Sequence, residues 1–167
     1  MKENHLQGER QFVSFFLDDT MYGLDIHVIK EVNPNIVLAE IPKSKAYIRG
    51  LVNIRGQVVL VMDISVIFNN DKRPINTESQ LVILKTASEI LQLKDQTIVK
   101  KPEIFGDKLT GFLVDRIGDV MIVERARIEP PPPNLMESHI RYVEGVIPLD
   151  RGAMIILNAE EIISSNE

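Results

Sequence analysis

The sequence predicts an all-β protein made of two small pseudo-symmetric β units, and two observations carry that expectation. The first is an internal repeat. Tyr47–Phe68 aligns without a gap on Tyr142–Ile163, which sets Tyr47 on Tyr142, Gly50 on Gly145, Leu51-Val52 on Val146-Ile147 and Val59–Met62 on Met154–Leu157. Further upstream, Gly23–Ile26 with Ile29, Glu31 and Val32 is echoed by Gly111–Val114 with Ile117, Asp119 and Val120. The second is patterning: short, nearly continuous apolar runs bounded by Gly, Pro, Asn and Asp, as in strands buried on both faces of a small closed barrel. At 167 residues the chain suffices for one ordinary domain or two small intertwined ones. Sites at fixed places in a duplicated frame are more often binding surfaces than buried catalytic centres.

Each element follows from local chemistry. Residues 1–10 are polar and are expected to fray as a flexible N-terminus. Gln11–Leu17 and Met21–Ile26 read as a β-hairpin around Asp18-Asp19-Thr20. Ile29–Val32 runs into Asn33-Pro34-Asn35, which breaks any regular element. Ile36–Ile41 reads as a short strand closed by Pro42, and Ser44–Tyr47 as a helical turn. Gly50–Ile54 and Gln57–Ile64 pair around Arg55-Gly56, where glycine supplies the permissive dihedral. Phe68–Glu78, with Pro74, is the crossover between the halves. Leu81–Leu84 restarts the β pattern, and Thr86–Lys108 reads as a long hairpin extension or surface loop. Leu109–Val114 and Val120–Val123 are strands, Pro130–Pro133 is a stiff extended connector, and Asn158–Ile163 ends the chain as a short helix.

Composition narrows the function. The fractions, 44% hydrophobic and 26% charged, are those of a globular protein. No apolar run approaches the ~20 residues that span a bilayer. MKENHLQGER lacks an apolar signal core, so a cytoplasmic location is expected. Zero cysteines exclude disulfides and thiolate zinc sites. A net charge of −5 argues against binding nucleic-acid backbones, and the absence of Trp against base-stacking platforms.

The catalytic inventory is thin. His5, His27 and His139 are far apart in sequence without metal-ligand spacing, and read as surface or structural. Neither a phosphate-binding loop nor a nucleophile elbow is present. Asp63, Asp115 and Asp119 offer carboxylates for acid–base work, but strand-end carboxylates are common. The expectation is a non-enzyme with no metal and no cofactor. Glu31 and Arg55 each sit beside an apolar strand; they are either two solvated surface charges or an Arg–carboxylate clasp between a connecting segment and a turn.

The succession Y-G-L-D-I-x-x-I-x-E-V, I-R-G-L-V-N-I-R-G-Q-V-V-x-V-x-D-I, G-F-L-V-D-R-I-G-D-V and Y-V-E-G-V closely resembles the CheW family of bacterial chemotaxis adaptors, over about Gln11 to Ile163. The resemblance implies one domain over 11–163, made of two five-stranded SH3-like barrels. They would span approximately 11–78 and 79–163, with elements free to swap and short helical connections. It implies partners too: the helical tip of chemoreceptors (methyl-accepting chemotaxis proteins) and the regulatory domain of the histidine kinase CheA. The protein would then sit at membrane-associated receptor arrays through those partners, without inserting into the membrane. The family's receptor groove maps onto Val13, Ile26, Ile29, Val32 and Ile117. A kinase-docking face maps onto Gly145, Val146 and Ile147, and the Glu31–Arg55 clasp is favoured. Several of the five groove residues, Val13 and Ile26 above all, equally suit a barrel core. The chain departs from the family in its four-proline connector and in Thr86–Lys108, usually a tight hairpin there. Two rivals are an adaptor of another chemosensory output, such as surface motility, and a small-molecule-binding or hydrolytic β-barrel.

Overall fold

The computed structural model describes residues 8–134 and 137–165. Most of the expected frayed N-terminus, residues 1–7 with His5, lies outside the described residues. Along the chain run β1 (Glu9–Leu17), β2 (Thr20–Asp25), β3 (Ile29–Asn33), β4 (Ile48–Ile54), β5 (Gln57–Asp63) and the helical turn α1 (Ile64–Ile67). There follow β6 (Gln80–Leu84), α2 (Ala87–Leu91), β7 (Leu109–Val114), β8 (Arg116–Glu124), α3 (Glu137–Ile140), β9 (Val143–Pro148), β10 (Ala153–Leu157) and α4 (Ala159–Ser164).

The strands form two five-stranded sheets, ordered β8-β1-β2-β10-β9 and β3-β6-β7-β5-β4, each curled into a small barrel. The two orders superpose if β1 to β5 are equated with β6 to β10. Each sequence repeat therefore lends its first hairpin to the other's sheet. A boundary near residue 78 separates the repeats, whereas each barrel draws strands from both sides of it. The cause lies in two short links. Between β2 and β3 there are only three residues, Ile26–Val28, and between β7 and β8 only Asp115. Neither is long enough for a crossover, and a hairpin return is closed because β2 is already flanked by β1 and β10 and β7 by β6 and β5, so the chain passes into the other sheet.

Register repeats as well. In β4–β5 the pairs Ile48↔Met62 and Gly50↔Val61 flank a bulge, and in β9–β10 the equivalent pairs Val143↔Leu157 and Gly145↔Ile156 flank another. Asp63 caps α1 by accepting from the Ser65 N–H, and its equivalent Asn158 caps α4 by accepting from the Glu161 N–H. At the β4–β5 turn, Arg55 and Gly56 take φ of 53° and 85°, the left-handed pair that a two-residue hairpin of this twist requires.

Alternation along the strands sorts side chains into three apolar clusters. Phe12, Val123, Ile147, Met154 and Ile156 fill one barrel. Val52, Val59, Val61, Leu81, Ile83 and Leu113 fill the other. Their strand neighbours Val13, Phe15, Val82, Leu84, Phe112 and Val114 face the opposite way and join Leu24, Ile64 and Ile162 in the seam between the barrels.

Four expectations are corrected. Glu9 and Arg10 are not frayed: both pair with β8, and the Arg10 guanidinium is held by Asp25 at 3.1 Å and by Glu144. Ile36–Ile41 is not a strand. It pairs with β4 through the single Ala39–Leu51 bridge, two hydrogen bonds of 2.8 Å, and Pro34 and Pro42, which cannot donate to a ladder, bound the run. Ser44–Tyr47 is a bend closed by Ile48 N–H to Lys45 O, and the Ser44 hydroxyl donates backward to Ile41 O instead of capping. Thr86–Lys108 is neither hairpin nor surface loop. Thr86 and Glu89 form a reciprocal capping box that starts α2, and a 3-10 turn covers Pro102–Phe105. Ile90, Val99 and Phe105 are buried in the seam; their isolated positions hid this from any periodic pattern.

An apolar seam edged by two equivalent strands

The edge strands β3 and β8 occupy equivalent places in the two sheets, and both border the seam. Ile29 of β3 is opposite Leu84, and its repeat equivalent Ile117 of β8 is opposite Phe15; a bulge follows each. The bulge brings Val32 and Val120 back to the seam face, opposite Val82 and Val13. The five residues mapped from the sequence thus meet in one cluster, but they differ in access. Val13 and Ile29 are buried at 8% and 9% exposure and form the floor. Ile26, Val32 and Ile117 are half-buried at the margin. Val120 and Ile122, which share the Val13 face of β8, are 52% and 63% exposed and extend the apolar strip, a contribution the sequence reading missed. The repeat carried the signal, because Val120 is the counterpart of Val32.

Charged groups alternate with these residues along the same two edge strands. Arg116 lies 3.6 Å above the Phe16 ring centroid, and Lys30 donates to Glu89 at 2.9 Å. Arg55 donates to Glu31, as does the Asn33 amide at 3.0 Å. The Asn33 amide above all, with Arg55 adding to it against the opposing effect of burial, holds the Glu31 carboxyl below its ordinary value. With the Arg55 side chain 69% exposed, the pair is a rim contact and not a desolvated one.

The second mapped face differs from expectation. Ile147 is 1% exposed and belongs to a barrel interior, and Gly145 is buried. Gly145 has a packing reason: an added Cβ would stand 2.6 Å from the Glu129 carbonyl oxygen, where the chain entering the proline connector bridges to β9. Its equivalent Gly50 meets the Ala39 carbonyl in the same manner. Of the three, only Val146 reaches the surface. Gly145 and Ile147 therefore cannot present side chains to a partner, since alternation sends Ile147 inward and the edge bridge covers Gly145.

The three aspartates do not form an acid–base set. Asp63 is fully buried and accepts from Ser65 N–H, Arg73 N–H and Arg49, so both its oxygens are engaged. Asp115 receives the Arg73 guanidinium in a two-pronged bond of 2.9 and 2.8 Å. Asp119 is exposed, and its carbonyl accepts from Ser14. Histidines 27 and 139 contact Asp25 and Asn69 respectively. Among the described residues no three His, Asp or Glu side chains stand close enough to hold a metal. The cavity where carboxylates do converge, lined by Arg10, Asp25, Glu144 and Glu160, offers about 20 Å³, room for one water. An open hollow of about 270 Å³ beside Tyr22, Phe68, His139 and Ile155 has no carboxylate in its lining.

A family model described as a CheW-like domain matches residues 11–167. The chain is similar to the chemotaxis protein CheW of Klebsiella aerogenes, 24% identical over 97% of this chain and 88% of the relative. It is also similar to that of Treponema pallidum, 24% identical over 94% and 84%. The crystal structure of scaffolding protein TtCheW from Thermoanaerobacter tengcongensis aligns with a TM-score of 0.71 at 28% identity, covering 90% of each chain.

Proposed function

Because the chain belongs to the CheW-like domain family, whose members are chemotaxis scaffolds, we propose that it is a non-enzymatic adaptor coupling chemoreceptors to the histidine kinase CheA. One observation carries this reading: the seam between the barrels is open along β3 and β8, where half-buried Ile26, Val32 and Ile117 continue into exposed Val120 and Ile122. That strip has the chemistry to take an apolar helix face, with charged groups of the same edge strands setting register. The receptor's helical tip lies there, and the kinase regulatory domain docks on the face of β9 from which the Val146 side chain reaches the surface. Among the described residues no helix is long and apolar enough to cross a membrane, so the protein joins receptor arrays through its partners. Its output is then linkage, which raises the effective concentration of kinase at receptor.

Val32→Asp or Ile117→Asp tests the groove, since an unpaired carboxylate at a desolvating contact is costly. Titration with a receptor cytoplasmic fragment should show affinity at least about tenfold weaker, with kinase association kept. Equal affinity in a folded variant removes the strip from the site. Ile29→Asp is the poorer probe, because a residue this buried threatens the fold itself.

A further inference from the structure

We propose that the segment between β6 and β7 is a strap that fixes the orientation of the two barrels relative to each other, with the Glu160 carboxylate as its latch. The strap is rooted in the β3–β7 barrel. Its neck is closed by Ala87 N–H to Gly106 O at 2.7 Å, and α2 is tied to β3 by Lys30–Glu89. Its far side reaches the other barrel. Val99 and Phe105 line one small cavity with Leu24 of β2, Leu157 of β10 and Ala159 of α4. At the edge of that cavity the two oxygens of Glu160 each accept one backbone N–H, from Lys100 and from Lys101, both at 2.9 Å. Two amides converging on one carboxylate in the first turn of α4 form a directional, charge-assisted grip. The equivalent repeat position is Ser65, too short for such a grip.

The consequence lies in the seam. The groove walls β3 and β8 belong to different barrels, so barrel orientation sets groove width. A segment anchored to both barrels holds that width without itself supplying a groove wall. This consequence for binding rests on the receptor-groove reading; the strap does not. Glu160 is accordingly a positioning residue.

The cysteine-free chain permits a direct test. Spin labels at Val58→Cys and Arg151→Cys, in the exposed hairpins of the two barrels, report the inter-barrel distance in the full-length protein. The native protein should give one narrow distribution. Glu160→Ala should broaden it and speed hydrogen exchange at the Lys100 and Lys101 amides. Affinity for a receptor cytoplasmic fragment should fall about fivefold, as when about a fifth of molecules hold the competent orientation. If Glu160→Ala does not fold, Glu160→Ser, the residue of the equivalent position, is read in the same way. An unchanged distance distribution in either folded variant overturns the strap. Broadening without loss of affinity, for a fragment that binds the native protein, overturns its control of the groove. Failure of the native protein to bind the fragment counts against the groove reading alone, and the distance and exchange results still decide the strap.

Discussion

Arg73 joins three parts of the molecule through one side chain. Its guanidinium grips Asp115 at the β7–β8 passage and Asp18 at the β1–β2 turn, while its N–H donates to buried Asp63 and its carbonyl accepts from Arg49. The hydrogen bonds that the guanidinium donates to Asp115, ahead of the opposing effect of burial, keep it more firmly protonated than an ordinary arginine. Arg73→Ala leaves Asp115 and its neighbours short of partners, and should cost roughly 2–3 kcal/mol in urea unfolding. Arg73→Lys should recover only part of this, because a single ammonium cannot fork to two carboxylates. At Glu31 and Arg55 the effect is smaller. A double-mutant cycle should give a coupling below about 1 kcal/mol, as suits an exposed pair. Since the Glu31 pKa is lowered in the folded state from its ordinary 4.5, its contribution is present above that value and lost as pH falls through the lowered one. The stability difference between the native protein and Glu31→Gln should therefore shrink between about pH 6 and about pH 3. A difference constant over that range would mean that Glu31 acts only through packing.

The most informative elements are the two closed edges. β4 and β9 each carry a glycine where another segment crosses, Ala39 over Gly50 and Glu129 over Gly145. Both crossings cover part of a sheet edge that would otherwise invite pairing with another chain. Gly145→Ala should destabilise the fold by about 1–3 kcal/mol through overpacking against the Glu129 carbonyl. Loss of kinase association in that variant is thus no evidence of a contact. Val146→Asp changes a side chain that reaches the surface, so it should weaken kinase co-sedimentation while leaving melting temperature and receptor-fragment affinity close to native. Equal loss of both partners in a folded Val146→Asp protein would contradict two separate faces.

At the scale of the whole molecule, the hairpin exchange makes the repeats mutually dependent. Residues 9–78 lack β6 and β7, the strands that join β3 to β5, and 79–165 lack β1 and β2, which join β8 to β10. Either half alone should remain unfolded by circular dichroism, and the intact chain should unfold in one urea transition; a folded isolated half would break this account. The repeat, the strand runs, the hairpin turn at Arg55-Gly56 and the capped final helix were legible in the sequence, because each depends on neighbours a few residues away. Five seam residues were legible through the family's motifs, but their division into floor (Val13, Ile29) and margin (Ile26, Val32, Ile117) was not. Burial is set by which strands lie opposite, and β3 and β8 meet theirs across long stretches of chain. The same holds for Thr86–Lys108, whose Ile90, Val99 and Phe105 follow no helical or strand period and find their place only against residues from both barrels. Sequence by itself determined the strands, the turns and the duplication, since local propensity and alternation write those directly. Which repeat's hairpin entered which sheet, and therefore where the seam opened, was decided only by tertiary structure, because β2 and β7 have both edges taken, β2 by β1 and β10 and β7 by β6 and β5, which leaves β3 and β8 no place beside them.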